Sequence, residues 1–103
     1  MAALAFSDQR TAPRDEVYFR THATRDDGDR LPLLLVNFSA MGLMARCEAD
    51  VAPGDRLRLD LPVVGAINAE VRWALGGRIG CELDRMIALA DYYDLLAVLV
   101  KGK

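Results

Sequence analysis

The stretch RLRLDLPVVGAINAEVRWALGGRIGCEL, residues 56–83, decides the fold because apolar and polar side chains alternate through most of it. Residues 56–61 alternate without exception, with leucines on one face and Arg or Asp on the other. Residues 67–73 and 79–83 repeat the pattern, and the Gly-Gly pair between them is a hairpin signal. Such alternation is typical of strands with one face in a core and the other in water.

Three further strands are predicted before this stretch, at residues 16–24, 31–38 and 43–48. Residues 31–38 are apolar on both faces, which indicates a strand covered on both sides. Six short strands separated by turns predict a small antiparallel barrel or sandwich, and closure into a barrel removes exposed edges. The alternation of the fifth strand places four side chains inward, those of Ile67, Ala69, Val71 and Trp73.

The period changes after the last strand, and residues 85–101 have helical spacing with Asp84 as a candidate N-cap. Two apolar rows follow from this spacing. One row holds Met86, Leu89, Ala90, Tyr93, Leu96, Ala97 and Val100, and the other holds Tyr92, Leu95 and Leu99. Two arrangements stay open: the helix packs a wide face on the barrel, or it offers a surface to a protein partner or a second copy.

Composition narrows the class of partner. The chain has 103 residues, enough for one domain, and a net charge of -2, which argues against a basic surface for nucleic acid polymers or anionic membranes.

The chain contains no apolar segment of about 18–20 residues, so no membrane insertion is expected. The apolar start at residues 1–6 is too short for a secretory signal. Cys47 and Cys81 could form one disulfide, but two reduced core thiols are the favoured interpretation, and a cytoplasmic location is expected.

Catalysis has little support in the sequence. The chain has a single histidine, His22, which lies on the polar face of a predicted strand, and Ser39 lacks the context of a nucleophile elbow. Two isolated cysteines and one histidine cannot supply a zinc site. We therefore expect no enzyme activity, metal or cofactor.

Two short motifs instead suggest a nucleotide ligand. Arg10-x-x-x-Arg14 lies in a polar segment, and Asn37-x-Ser39-x-x-Gly42 joins two predicted strands. The second motif is expected about 0.02 times by chance in a chain of this composition. Arginines can stack on a flat guanine, donate to its O6 and N7 edge, or grip phosphate. Asn and Ser can hydrogen-bond a ligand from the sheet, and Gly permits a tight bend or close approach.

These motifs resemble those of PilZ domains, the bacterial receptor modules for cyclic di-GMP. Arg10 and Arg14 match the family's RxxxR motif, while Asn37, Ser39 and Gly42 match its (D/N)xSxxG motif. Other similarities are the Pro53-Gly54-Asp55 turn and Val71-Arg72-Trp73 followed by Gly80. The resemblance covers about residues 9–85.

The resemblance implies a PilZ-like six-stranded barrel of Greek-key type with a C-terminal α-helix. Residues 1–14 would form a flexible arm, 15–84 the barrel and 85–103 the helix. Cyclic di-GMP, as one molecule or an intercalated pair, would lie outside the barrel. Its guanine and phosphates would contact Arg10 and Arg14, a guanine edge would contact Asn37 and Ser39, and Gly42 would keep the strand junction open.

The function expected from this resemblance is that of a cyclic di-GMP receptor and adaptor, which orders its arm on binding and signals through an unidentified protein effector. Two alternatives stay open. One is a PilZ-like interaction scaffold that binds no nucleotide. The other is an unrelated oligonucleotide-binding barrel, which the acidic charge balance and the few aromatic residues disfavour.

Overall fold

A computed structural model of the protein describes residues 14–101, in which six strands form one sheet that closes on itself. A single helix follows them. The elements are β1 (Asp15–Arg25), β2 (Arg30–Phe38), β3 (Gly42–Arg46), β4 (Arg56–Leu61), β5 (Gly65–Leu75), β6 (Arg78–Leu83) and α1 (Leu89–Lys101). The predicted arm, apart from Arg14, lies outside the described residues.

The strands are hydrogen-bonded in the order β1-β2-β3-β6-β5-β4, and β4 pairs with β1 to complete the barrel. Every pairing is antiparallel. Because β3 and β4 are consecutive in the chain but not neighbours in the sheet, residues 47–55 cross between them. The predicted mainly-β class, with a closed six-stranded antiparallel barrel and a C-terminal helix, is confirmed.

Alternation along the strands builds the core. In β4, Leu57, Leu59 and Leu61 are buried while the Arg and Asp residues between them are exposed. The inward residues of all six strands join α1 in one apolar cluster. The period of two seen in the sequence therefore separates the inside of the barrel from its outside.

β-Bulges interrupt this alternation at three places, since the register shifts between β1 and β2, between β2 and β3, and between β5 and β6. In the last case Val71 pairs with Cys81 and Trp73 pairs with Gly80, so one additional residue, Arg72, is accommodated in β5. Val71 is buried as predicted, but the prediction that Trp73 points inward is wrong. The bulge moves its side chain to the outer surface, where it is 40% exposed.

The helix begins at Leu89, four residues later than the sequence spacing suggests, and Asp84 does not cap it. The Asp84 amide instead donates to the carbonyl of Asn68 at 2.9 Å, which extends the contact between β6 and β5. The amide of Ile87 donates to the carbonyl of Ala40 at 2.9 Å, and the Ile87 side chain is buried. These contacts hold residues 84–87 against the barrel, so the helical conformation starts only beyond them.

One of the two predicted rows of α1 packs on the barrel. Tyr92, Leu95 and Leu99 are buried, and the helix lies against β1. The Tyr92 hydroxyl lies 2.6 Å from Asp15 Oδ2 and 3.0 Å from the carbonyl oxygen of Phe38, and its ring stacks on that of Phe38. This one side chain thus joins α1 to the start of β1 and the end of β2.

Cys47 and Cys81 are both buried, as the alternation predicts, and both are free. Burial, with a smaller contribution from Cys47, raises the pKa of the Cys81 thiol from 9.0 to about 12. Burial also raises the pKa of Tyr92, and its hydrogen bond to Asp15 acts in the same direction. The folded state therefore holds these protons at a pH where the unfolded chain releases them.

The free energy of unfolding should consequently fall as the pH rises from about 9 towards 12. Below pH 9 the Cys81 thiol is protonated in both states, whereas above it only the unfolded chain loses the proton. The loss from this thiol should be on the order of 2–4 kcal/mol. Urea unfolding between pH 8 and 11 would measure it, and the slope should be smaller in Cys81→Ala, with Tyr92 supplying the remainder. An equal slope in the variant would contradict the assignment.

No helix within residues 14–101 has the length and apolar character needed to cross a bilayer.

Candidate functional site

A cleft of about 310 Å³ lies on the outer surface of the barrel, beside the turn between β2 and β3. Its volume is at the lower end of the range for small-ligand sites. Residues from β2, β3, β5 and β6 line it, together with the residue before β1. These are Arg14, Asn37, Ser39, Met41, Gly42, Leu43, Met44, Arg72, Trp73, Gly80, Cys81 and Glu82.

Four of the five site residues predicted from the sequence line this cleft. Arg14 lies at its rim immediately before β1, and Asn37, Ser39 and Gly42 follow the end of β2 into β3. The fifth, Arg10, lies outside the described residues. Asn37 reaches the outer surface beside Met44 because of the bulge in β2, while Phe38 next to it points into the core.

Ser39 was expected, with Asn37, to hydrogen-bond a ligand from the sheet. The structure instead places it one residue beyond β2, in a turn, where it is only 8% exposed. Its hydroxyl accepts the amide of Gly42 at 3.1 Å and that of Met41 at 3.3 Å, and it lies 3.2 Å from the Gly42 carbonyl oxygen. Ser39 therefore fixes the shape of the turn that forms one wall of the cleft.

Gly42 is needed for strand pairing. A β-carbon at this position would lie 2.7 Å from the carbonyl oxygen of Cys81 on β6, closer than a real β-carbon comes to a backbone atom. The sequence suggested a tight bend or room for a ligand, whereas the close approach is that of the neighbouring strand. Gly42 therefore affects the cleft indirectly, because it allows β3 and β6 to pair closely and so to form the floor of the cleft.

Trp73 is a cleft residue that the sequence analysis missed. Its indole covers Gly80 on the adjacent strand, and a β-carbon at Gly80 would collide with the indole nitrogen. The sequence did contain a signal, because a glycine within an alternating strand opposite a tryptophan leaves space for a ring to lie on the sheet. An exposed indole face in a cleft can stack on a flat ligand.

Opposite charges lie side by side where Arg72 and Glu82 line the cleft. Arg72 Nε donates to Glu82 Oε1 at 2.8 Å, a second guanidinium nitrogen contacts the same oxygen, and Glu70 Oε2 is 3.7 Å from Arg72. The hydrogen bond and charge of Glu82 raise the pKa of Arg72. Glu82 and Glu70 largely offset the charge of Arg72, which leaves Arg14 as the other cation among the residues that line the cleft.

Other polar groups of the described residues lie apart from this cleft. No group of three or more His, Cys, Asp or Glu side chains between residues 14 and 101 is placed to hold a metal ion. His22 is exposed and lies on a separate concave surface with Tyr18 and Arg20. The guanidinium of Arg20 is 5.8 Å from the centre of the Tyr18 ring.

No protein-family model and no curated protein sequence matches this chain. The cleft brings together four features from distant parts of the sequence: an exposed indole, an exposed arginine, a half-buried amide and a glycine-containing turn.

Proposed function

We propose that this protein is a PilZ-like receptor for cyclic di-GMP that acts as an adaptor for a protein effector. The observation that carries the proposal is the convergence of Arg14 with the Asn37-x-Ser39-x-x-Gly42 motif in one cleft, although 23 positions separate Arg14 from Asn37. Trp73 adds an aromatic surface to the same cleft. These groups suit a ligand with flat bases and anionic phosphates.

Each side chain has a role that its position supports. The indole of Trp73 stacks on one guanine, because a purine and an indole present matching flat faces. The guanidinium of Arg14 contacts a phosphate or the O6 and N7 edge of the base. The amide of Asn37 hydrogen-bonds a base edge, while Ser39 and Gly42 hold the turn and the floor.

The cleft is too small to enclose a whole cyclic dinucleotide, so part of the ligand extends beyond it at the rim that carries Arg14. The segment carrying Arg10 then closes over this part and brings a second arginine to a ligand with two phosphodiesters. Arg72 can strengthen the site if a phosphate replaces Glu82 as its partner. Closure of the segment over the ligand creates a new surface that an effector can recognise.

Titration calorimetry with cyclic di-GMP tests this function. We expect binding at micromolar affinity or tighter, about -8 kcal/mol, which weakens at high salt because the contacts to phosphate are ionic. Arg14→Ala should abolish the heat signal. Arg58→Ala, which removes an exposed arginine from β4 outside the cleft, should leave it unchanged. The fluorescence of Trp73, the only tryptophan in the chain, should change on binding.

Two results would count against the proposal in different ways. The absence of heat with the unmodified protein at high ligand concentration would favour a scaffold that binds no nucleotide. Binding that survives Arg14→Ala and leaves the fluorescence of Trp73 unaltered would place the ligand somewhere other than this cleft.

A further inference from the structure

One side chain of α1 contacts both of the first two strands at the point where the candidate cleft lies. The Tyr92 hydroxyl is 2.6 Å from Asp15 Oδ2, a distance typical of a hydroxyl that donates to a carboxylate, and 3.0 Å from the carbonyl oxygen of Phe38. Asp15 and Phe38 are also paired with each other across β1 and β2. Tyr92 therefore holds the two strands together at one pair of their ladder.

This pair adjoins the cleft on both strands. Asp15 directly follows Arg14, and Phe38 lies between Asn37 and Ser39 in the chain. Arg14, Asn37 and Ser39 all line the cleft. A displacement of the pair would consequently move the backbone that carries the predicted ligand contacts.

A β-bulge separates the same pair from the rest of the ladder between β1 and β2. The first two pairs of this ladder, which begin at Asp15 and Glu16, are followed by a register shift before the next pair at Phe19. The end of a ladder opens more easily than its middle, and a bulge leaves such an end with less support from its neighbours. A contact from outside the ladder can therefore determine how firmly the start of β1 is held.

Tyr92 can supply this contact because its own position is fixed. Its side chain is buried, and its ring stacks on that of Phe38 with the centroids 6.2 Å apart. Leu95 and Leu99, on the same side of α1, are also buried, so the barrel holds the helix that carries the ring. The hydroxyl thus loses little conformational freedom when it bonds Asp15.

A second connection runs from the turn of the cleft to the residues before α1. The amide of Ile87 donates to the carbonyl of Ala40 at 2.9 Å, and the amide of Leu83 donates to that of Met41 at 2.8 Å. Ala40 and Met41 belong to the turn that begins at Ser39. The turn and the start of β1 are therefore both connected to the part of the chain that forms α1.

We propose that Tyr92 is a positioning residue that couples occupancy of the cleft to the packing of α1. The inference rests on the proposed function, because it concerns how Arg14 meets the ligand. The hydroxyl holds the start of β1 in place before a ligand arrives, so less conformational entropy is lost on binding. By linkage, a ligand that fixes this segment strengthens the hold on α1 by the same factor. An effector in contact with α1 can then sense whether the cleft is occupied.

Removal of the hydroxyl tests the effect on the ligand. Tyr92→Phe keeps the stacked ring and should weaken cyclic di-GMP binding about tenfold in calorimetry, because the ligand must then order the start of β1 itself. Asp15→Ala should cause a similar loss, whereas Asp15→Asn, which keeps an acceptor oxygen, should retain most of the affinity. The losses of Tyr92→Phe and Asp15→Ala should not add in the double variant, because both remove one hydrogen bond. Tyr93→Phe, which removes an exposed hydroxyl from the next residue, is the matched control.

Amide hydrogen exchange tests the coupling in both directions. Without ligand, exchange at the start of β1 should be faster in Tyr92→Phe than in the unmodified protein, while the other strands stay unchanged. With cyclic di-GMP, exchange in α1 should slow by up to about tenfold in the unmodified protein and by less in Tyr92→Phe.

The outcomes separate this inference from the receptor function. Equal affinities of the unmodified protein and Tyr92→Phe would overturn the coupling and leave the receptor function in place. Faster exchange throughout the barrel in Tyr92→Phe would mean that the hydroxyl only stabilises the fold, and would also overturn the coupling. Absence of binding by the unmodified protein would refute the receptor function and the coupling with it.

Discussion

Replacing Leu95 with alanine is expected to lower the free energy of unfolding by about 2–5 kcal/mol. Leu95 is 0% exposed and belongs to the cluster that α1 shares with the barrel. The substitution removes buried apolar surface and leaves a cavity at the contact between helix and sheet, which neighbouring side chains fill only in part. A loss of this size is a large fraction of the stability of a domain of this length.

Urea unfolding followed by circular dichroism would measure the loss caused by Leu95→Ala. Tyr93→Ala is the matched control, because Tyr93 lies on the opposite side of the same helix and is mostly exposed. Tyr93→Ala should change stability by less than about 0.5 kcal/mol. Similar losses for the two variants would mean that α1 does not pack on the barrel through the row containing Leu95.

Substitution of Gly42 should also destabilise the protein strongly, by about 1–3 kcal/mol for Gly42→Ala and by more for Gly42→Val. The added β-carbon meets the carbonyl oxygen of Cys81, a backbone atom that cannot rotate away. β3 and β6 must then separate locally, which weakens the hydrogen bonds between them.

The same variants distinguish a structural role of Gly42 from a ligand role. Met44→Ala is the control, since Met44 is the next outward residue on β3 and has room for a smaller side chain. Thermal unfolding without ligand should show a lower midpoint for Gly42→Ala than for Met44→Ala. If Gly42→Ala instead kept the unmodified midpoint and only weakened nucleotide binding, the glycine would serve the ligand and not the strand pair.

Much of the barrel is predictable from the sequence, because its strands follow the period of two and its turns carry Gly, Pro and Asp. Residues 56–61 show this most clearly, since the predicted strand and the observed β4 have the same bounds. The helix start was not predictable from spacing alone. Apolar periodicity continues back through Met86 and Ile87, but a hydrogen bond from Ile87 to the distant Ala40 holds this part in a non-helical conformation.

Four residues of the candidate cleft could be predicted from the sequence, whereas their geometry could not. Arg14, Asn37, Ser39 and Gly42 do meet in one cleft. The function of Gly42 depends on Cys81, a residue nearly forty positions away, so no local pattern could reveal it. The orientation of Trp73 was predicted wrongly for a related reason. Strict alternation assumes that no residue is added between paired positions, and the bulge in β5 adds one.

The bulge in β5 has a consequence for how this surface can change during evolution. Arg72 is the additional residue, so loss of its codon would leave Val71 paired with Cys81 and the following tryptophan paired with Gly80 in regular register, with the indole still over Gly80. A related gene could thus gain or lose a cationic group beside the cleft through an insertion or a deletion, with the barrel intact. A sequence alignment would show such a change as a one-residue gap within a strand.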